Sequence, residues 1–318
     1  MKPEFSFDRR TFLRHSLEST VLVGLGVFAP LEAFALQAKE PSRTALGTAQ
    51  HRAAHQLLDR PIVFDDPVAL RVLGAERVKR IALNSALNET AGSRAMRAFL
   101  VTRSKYAEDE LAKVYQQGVR QYIILGAGLD TFPYRNPYGD RLRVFEVDHP
   151  STQAWKRTRL LEQGIELPRS LTFVPVDFEK QSLANRLRQT GFRKNAPVFI
   201  SWLGVTMYLT RDAVMQTLRF VASSCARGSE IVFDYSLPDE ALGEKERLAR
   251  AKRAQRVAKI GEPWISYFDS AALVKDLTAM GFSQVTHFGA KEANERYFSG
   301  RTDGLGFRGS GRIMTARV

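Results

Sequence analysis

A chain of 318 residues, 44% apolar and 25% charged, has the composition of an ordinary globular protein and can bury a sizeable core. Its single cysteine, Cys225, excludes an internal disulfide and a paired-cysteine zinc site. A net charge of +13 points toward nucleic acid, an anionic surface or an acidic substrate, or else to solvated basic faces.

The N-terminal forty residues differ in kind from the rest. Asp8-Arg9-Arg10-Thr11-Phe12-Leu13-Arg14 has the pattern of a twin-arginine export signal. An apolar stretch from Val21 to Leu31 and an Ala33-Phe34-Ala35 cleavage pattern follow it. Eleven apolar residues are too few to span a membrane. Residues 1–40 therefore read as an export signal or an N-terminal extension. From Thr44 to Leu58 the pattern is helical, with Ser42 as N-cap. Pro61 and Asp65-Asp66-Pro67 make a turn. Val68 to Leu83 reads as one helix interrupted by Gly74, and Ser93 to Gln117 as a long helix stopped by Gly118. These helices predict a cap over residues 41–118.

A regular alternation then begins and predicts an α/β core over residues 119–318. Tyr122–Leu125, Leu142–Val147, Leu171–Val176, Val198–Trp202 and Ile231–Tyr235 are short apolar strand candidates. Helical stretches Ser151–Gln163, Phe178–Gln189 and Arg211–Ala226 separate the later ones. This alternation implies a mainly parallel sheet with helices on both faces. A basic run from Lys245 to Lys259 follows. Leu242, Leu248, Ala251, Ala254, Val257 and Ala258 fall on one side at helical period, so an amphipathic helix is expected, its cations on a solvated face or a lid. No aromatics interleave with the cations, so nucleic acid is not favoured. Asp269 to Met280 reads as another helix. Phe282–Phe288 and Arg312–Val318 read as two more strands, joined by a glycine-rich loop from Gly300 to Gly311.

Gly126, Asp148, Asp177 and Gly204 all fall at the carboxyl ends of predicted strands, where an open α/β sheet binds its ligand. The stretch Ile123-Ile124-Leu125-Gly126-Ala127-Gly128 is a strand running into a Gly-x-Gly turn. Asp148 follows Gly126 by 22 residues, which fits one strand–turn–helix unit and the next strand. Such a turn lets backbone N–H groups approach a nucleoside closely, and an acid at the neighbouring tip can accept both ribose hydroxyls. Thr131 stands where a dinucleotide fingerprint needs its third glycine. A nucleoside without phosphates is therefore favoured over a dinucleotide, although an oxidoreductase stays open as an alternative.

The chain resembles the leucine carboxyl methyltransferase-like family, in particular its bacterial S-adenosylmethionine-dependent branch. The resemblance is carried by Pro41-Ser42-Arg43-Thr44-Ala45, Asp65-Asp66-Pro67, Arg103-Ser104-Lys105-Tyr106 and the Gly126–Arg135 block. It continues in Phe145-Glu146-Val147-Asp148-His149-Pro150, Val176-Asp177-Phe178 and Trp202-Leu203-Gly204-Val205-Thr206-Met207-Tyr208-Leu209. It implies a class I methyltransferase-like, Rossmann-like sheet of seven strands ending in an antiparallel pair, and S-adenosyl-L-methionine as cofactor. By this resemblance Asp148 takes the ribose, Gly126 and Gly128 line the methionyl part, Asp177 and Phe178 border the adenine, and Arg103 pairs with the cofactor carboxylate. Arg94 and Arg97 compete with Arg103 for that role. Asp130 and Glu146 count with the cofactor-binding set. Much of the family carries Glu where this chain has Leu203. Tyr208 is then the candidate catalytic group near the transferred methyl, and no metal is implied. The expected acceptor is a small-molecule or peptide carboxylate or hydroxyl. Activity is expected in the cytoplasm, where spent cofactor can be exchanged, with export as a competing expectation. A non-catalytic exported binding protein on this scaffold is the remaining alternative.

Overall fold

The computed structural model describes residues 42–177 and 181–318. The twin-arginine pattern, Pro41 and Phe178 lie outside these residues. Five helices precede the first strand: α1 (Arg43–Leu58), α2 (Pro67–Leu73), α3 (Ala75–Leu83), α4 (Ser85–Asn88) and α5 (Ala91–Gln116). Their starts follow local hydrogen bonding. The Ser42 hydroxyl accepts from the Ala45 amide at 3.1 Å, and the Asp66 carboxylate from the Ala69 amide at 3.1 Å. The helical stretch from Val68 to Leu83 is interrupted, as expected, at Gly74, which ends α2 and starts α3.

The α/β alternation runs β1 (Gln121–Leu125), β2 (Arg143–Asp148), α6 (Pro150–Glu162), β3 (Leu171–Pro175), α7 (Leu183–Arg188), β4 (Phe199–Trp202), α8 (Arg211–Ser224) and β5 (Glu230–Ser236). It ends with α9 (Glu244–Lys259), α10 (Ser270–Ala279), β6 (Gln284–Phe288), α11 (Ala290–Tyr297) and β7 (Gly311–Arg317). The seven strands form one sheet in the order β3-β2-β1-β4-β5-β7-β6. The first five are parallel. β7 runs antiparallel between β5 and β6. The terminal pair is thus antiparallel as expected, but β6 and β7 are joined through α11 as well as the glycine-rich loop.

Strand alternation divides the core. Ile123 and Leu125 join Phe145, Ile200 and Leu218 on one face. Tyr122 and Ile124 join Val144, Leu111 and Ile313 on the other, under α5. A third cluster, with Ala53, Val72 and Leu73, packs α1 and α2 against Leu129 and Leu160. That cluster holds the helices over the carboxyl ends of the strands. No described helix is long and apolar enough to cross a membrane.

The basic helix α9 departs from its sequence pattern. Leu248 is 57% exposed, and Arg250 is the residue that α9 buries. The apolar stripe therefore does not define the inward side.

Candidate functional site

The strand order reverses between β1 and β4, and a cavity of about 1460 Å³ opens there. At the end of β1 the backbone turns through Gly126, Ala127 and Gly128. The Gly126 and Ala127 amides both donate to the Val147 carbonyl, which ties the turn to β2. Gly128 has φ +45, and a Cβ built on it would lie 3.1 Å from the Ala45 Cβ of α1. Only glycine lets α1 come this close while the turn keeps its left-handed backbone.

Asp148, at the tip of β2, is 5% exposed and lines the cavity. One carboxylate oxygen accepts from the Gly128 amide at 2.5 Å and the other from the His149 amide at 2.7 Å. Burial raises its pKa, and these two amides pull it back down. Each oxygen keeps a second lone pair for a ligand. Asp130 also lines the cavity. The His149 side chain caps the start of α6 by accepting from the Ser151 amide, which fixes it as a turn residue.

Thr131 is fully buried. Its hydroxyl donates to Asp66 at 2.8 Å and accepts from Arg52 at 3.1 Å, while Arg52 also reaches the Leu129 carbonyl. The position that would be a third glycine is therefore a polar bolt between the turn and α1–α2. A glycine there would strand a buried Asp–Arg pair without its bridging hydroxyl.

The opposite side of the turn is built by α5 and β4. Arg103 is 6% exposed and donates from Nη1 to Asp234 at 2.7 Å. The other Asp234 oxygen accepts from the Gly204 amide at 2.5 Å. Gly204 has φ +76, and a Cβ there would lie 2.8 Å from the Arg103 guanidinium. Of the competing arginines, Arg97 is buried and spent on Asp59, Glu89 and the Asn88 carbonyl. Arg94 pairs with Glu89 and the Asp303 carbonyl. Arg103 is the one of the three that lines the cavity.

Tyr208 sits in a short 3-10 turn, Thr206–Tyr208, and lines the same cavity. Burial raises its pKa, with Thr44 and Trp264 beside its hydroxyl opposing the rise. The segment after α9 clamps this turn. The Ile265 amide donates to the Met207 carbonyl at 2.8 Å, and the Ser266 hydroxyl to the Thr206 carbonyl at 2.9 Å. The Glu262 carboxylate accepts from the Arg43 and Thr44 amides at 3.0 and 3.2 Å, which closes α1 over the cavity.

Two expected residues stand elsewhere. Glu146 lies two residues back along β2, about 7 Å below the tip. It is 1% exposed, pairs with Lys156 at 2.6 Å and accepts weakly from Tyr134. It does not line the cavity. Asp177 lies beyond the end of β3, one strand further out, and does not line the cavity either. Sequence reasoning missed Asp234, Glu262 and Trp264. An acid inside the apolar strand Ile231–Tyr235 was a readable signal for Asp234. The other two are in a loop without periodicity. Among the described residues there is no His, Cys, Asp and Glu cluster able to hold a metal.

The family model for leucine carboxyl methyltransferase matches residues 45–222. A Bacillus subtilis (strain 168) protein named "Putative S-adenosyl-L-methionine-dependent methyltransferase YktD" is 33% identical over 295 residues, covering 85% of this chain and 95% of its own. Among solved structures, a DUF574 family protein from Streptomyces avermitilis aligns with a TM-score of 0.53 at 13% identity, over 84% of this chain and 96% of that one. A "putative methyltransferase" from Thermobifida fusca aligns with a TM-score of 0.52 at 14% identity, over 88% and 96%. At these identities the two structures speak to fold alone: the class I methyltransferase sheet.

Proposed function

Because the chain belongs to the leucine carboxyl methyltransferase family and is an S-adenosyl-L-methionine-dependent methyltransferase, we propose that it methylates an oxygen of a small-molecule or peptide acceptor, a carboxylate or a hydroxyl. The residues around the cavity fit that cofactor. Asp148 offers free lone pairs at a strand tip, and the Gly126–Gly128 turn leaves backbone where side chains would intrude. Asp148 would hold the ribose and Gly126 and Gly128 the methionyl chain. Arg103, braced by Asp234, would face the cofactor carboxylate. Asp130 stands on the same side of the cavity, whereas Asp177, which the family resemblance put beside the adenine, does not line it. The cofactor supplies an electrophilic methyl on a sulfonium, so an acceptor oxygen takes it in line while the sulfur keeps the bonding pair and leaves neutral.

The protein's own task is to orient the acceptor and exclude water. Leu203 lines the cavity where much of the family has Glu, so no carboxylate acts as base at that point. Burial keeps the Tyr208 hydroxyl protonated, so Tyr208 donates a hydrogen bond rather than removing a proton. Both features favour an acceptor oxygen that is already ionised, a carboxylate. A cytoplasmic setting suits this activity, since spent cofactor is replaced there.

The observation that carries the cofactor site is Asp148 and the Gly-x-Gly turn meeting on one cavity wall. Calorimetry with S-adenosylhomocysteine tests it. Asp148→Ala is expected to weaken binding by about 2 kcal/mol, roughly thirtyfold, and NADH is expected to give no heat. Equal affinity in wild type and variant would remove Asp148 from the site.

A further inference from the structure

The cavity wall contributed by α9 is cationic. Lys252, Arg253 and Arg256 of α9 line it, and so does Arg308 from the loop before β7. Lys259, in the last turn of α9, lines it too, whereas three arginines nearby are already paired. Arg103 is paired with Asp234 and Arg52 with Asp66. Arg250, one turn earlier on α9, pairs with Asp239, donates to the Leu237 carbonyl at 2.5 Å and lies over the Tyr267 ring at 4.3 Å.

Arg253 is different. Its Nε is buried and has no hydrogen-bond partner, and its guanidinium forms no ion pair among the described residues. Its Nη2 reaches the β7 loop, 3.6 Å from where a Cβ on Gly309 would lie. Burial, and then the like charge of Arg256, lower its pKa. A half-buried guanidinium with an unanswered donor beside a second cation is costly unless an anion completes it. The lining acids do not answer it. Asp148 accepts from the Gly128 and His149 amides, and Asp130 from the Phe132 amide at 2.8 Å, both in the turns after β1 and β2. The Glu262 carboxylate is occupied by the start of α1.

We propose that Arg253, with Lys252, Arg256 and Arg308, is the anchor for an oxyanion on the acceptor, a carboxylate or phosphate separate from the atom that is methylated. This rests on the methyltransferase reading of the cavity. The anchor lies on the β5–β7 side, with the cofactor-binding turn toward β2. The acceptor then bridges β4 with its anion toward α9 and its reacting oxygen toward Tyr208. Bidentate guanidinium recognition makes Arg253 a specificity determinant rather than a catalytic residue.

The test titrates the full chain with inorganic phosphate and, separately, with succinate, each in the presence and absence of saturating S-adenosylhomocysteine. Succinamide serves as the neutral control. Saturable anion binding that leaves S-adenosylhomocysteine affinity unchanged is expected, with none for succinamide. The tighter of the two anions identifies the headgroup. Arg253→Gln is expected to weaken the anion at least tenfold while keeping S-adenosylhomocysteine affinity within twofold, which also certifies the variant as folded. Arg253→Lys should recover part of the loss. The proposal is overturned if the anion displaces S-adenosylhomocysteine, if Arg253→Gln weakens both equally, or if it weakens neither. Absence of S-adenosylhomocysteine binding to wild type would strike the cofactor reading instead, and the anion titrations would still decide the anchor.

Discussion

Asp234 carries two buried obligations at once, the Arg103 guanidinium and the Gly204 amide. Removing one partner of such a pair leaves the other charged and dry, which costs more than the pair itself contributes. Asp234→Ala is expected to lower unfolding stability by about 3 kcal/mol in urea titrations. Arg103→Ala should also destabilise, and the double variant should cost at least ~1 kcal/mol less than the two single losses combined. Strict additivity would mean the two side chains do not depend on each other. Residue type and spacing along the chain single out Gly126, Gly128 and Asp148, the family resemblance adds Arg103, Asp130 and Tyr208, and all six line one cavity. Glu146 does not line it. A strand's two-residue period puts it on the same face as Asp148 but deeper, where Lys156 reaches it first. Asp234 stands out as an acid inside an apolar strand, but its role depends on a partner 131 residues away.

At the scale of elements, apolar runs made the central strands legible, since β1, β2, β4 and β5 are buried on both faces and bounded by turns, while the edge strands β3 and β6 are more exposed. The break at Gly74 between α2 and α3 was legible as well, because a lone glycine interrupts the helical pattern there. Helix α11 was hidden by a polar sequence in which Ala293 is the buried residue. Helix α9 shows the limit of periodicity. Its apolar stripe is weak because half of it is alanine, and arginine stems can cover core surface while their heads find partners. Two substitutions separate the alternatives. Leu248→Gln is expected to change stability by less than about 0.5 kcal/mol, because Leu248 is mostly in water. Arg250→Ala is expected to cost about 2 kcal/mol, through loss of the buried bond to the Leu237 carbonyl and of the Tyr267 contact. Thermal melts giving the reverse order would restore the apolar stripe as the inward face.

For the molecule as a whole, a charge of +13 means that cations outnumber acids, yet one acid sits buried far from the cavity without a close cationic partner. Glu230 opens β5 and is 6% exposed, with its Oε1 buried and unbonded. Burial, and then the neighbouring Glu110, push its pKa up to about 7, against relief from Arg317 and Lys113. The unfolded chain releases this proton near the ordinary Glu value of about 4.3. Between these two values the folded state binds the proton more tightly than the unfolded state. Stability from this site is therefore complete at low pH and declines as pH rises toward 7. His51 acts in the opposite sense. Burial, and then Arg97, lower its pKa to about 4, so its contribution is present above about 6.5 and is lost as pH falls. Comparing wild type with Glu230→Gln cancels His51 and every other shared group. The variant's advantage in unfolding free energy is expected to grow from about pH 4.5 to 7 and then stay level, reaching on the order of 1–3 kcal/mol. Urea titrations at half-unit pH steps give that difference directly. A difference that stays flat across the window would mean Glu230 is already ionised in the folded protein at pH 5, held by Arg317 and Lys113 rather than by its proton.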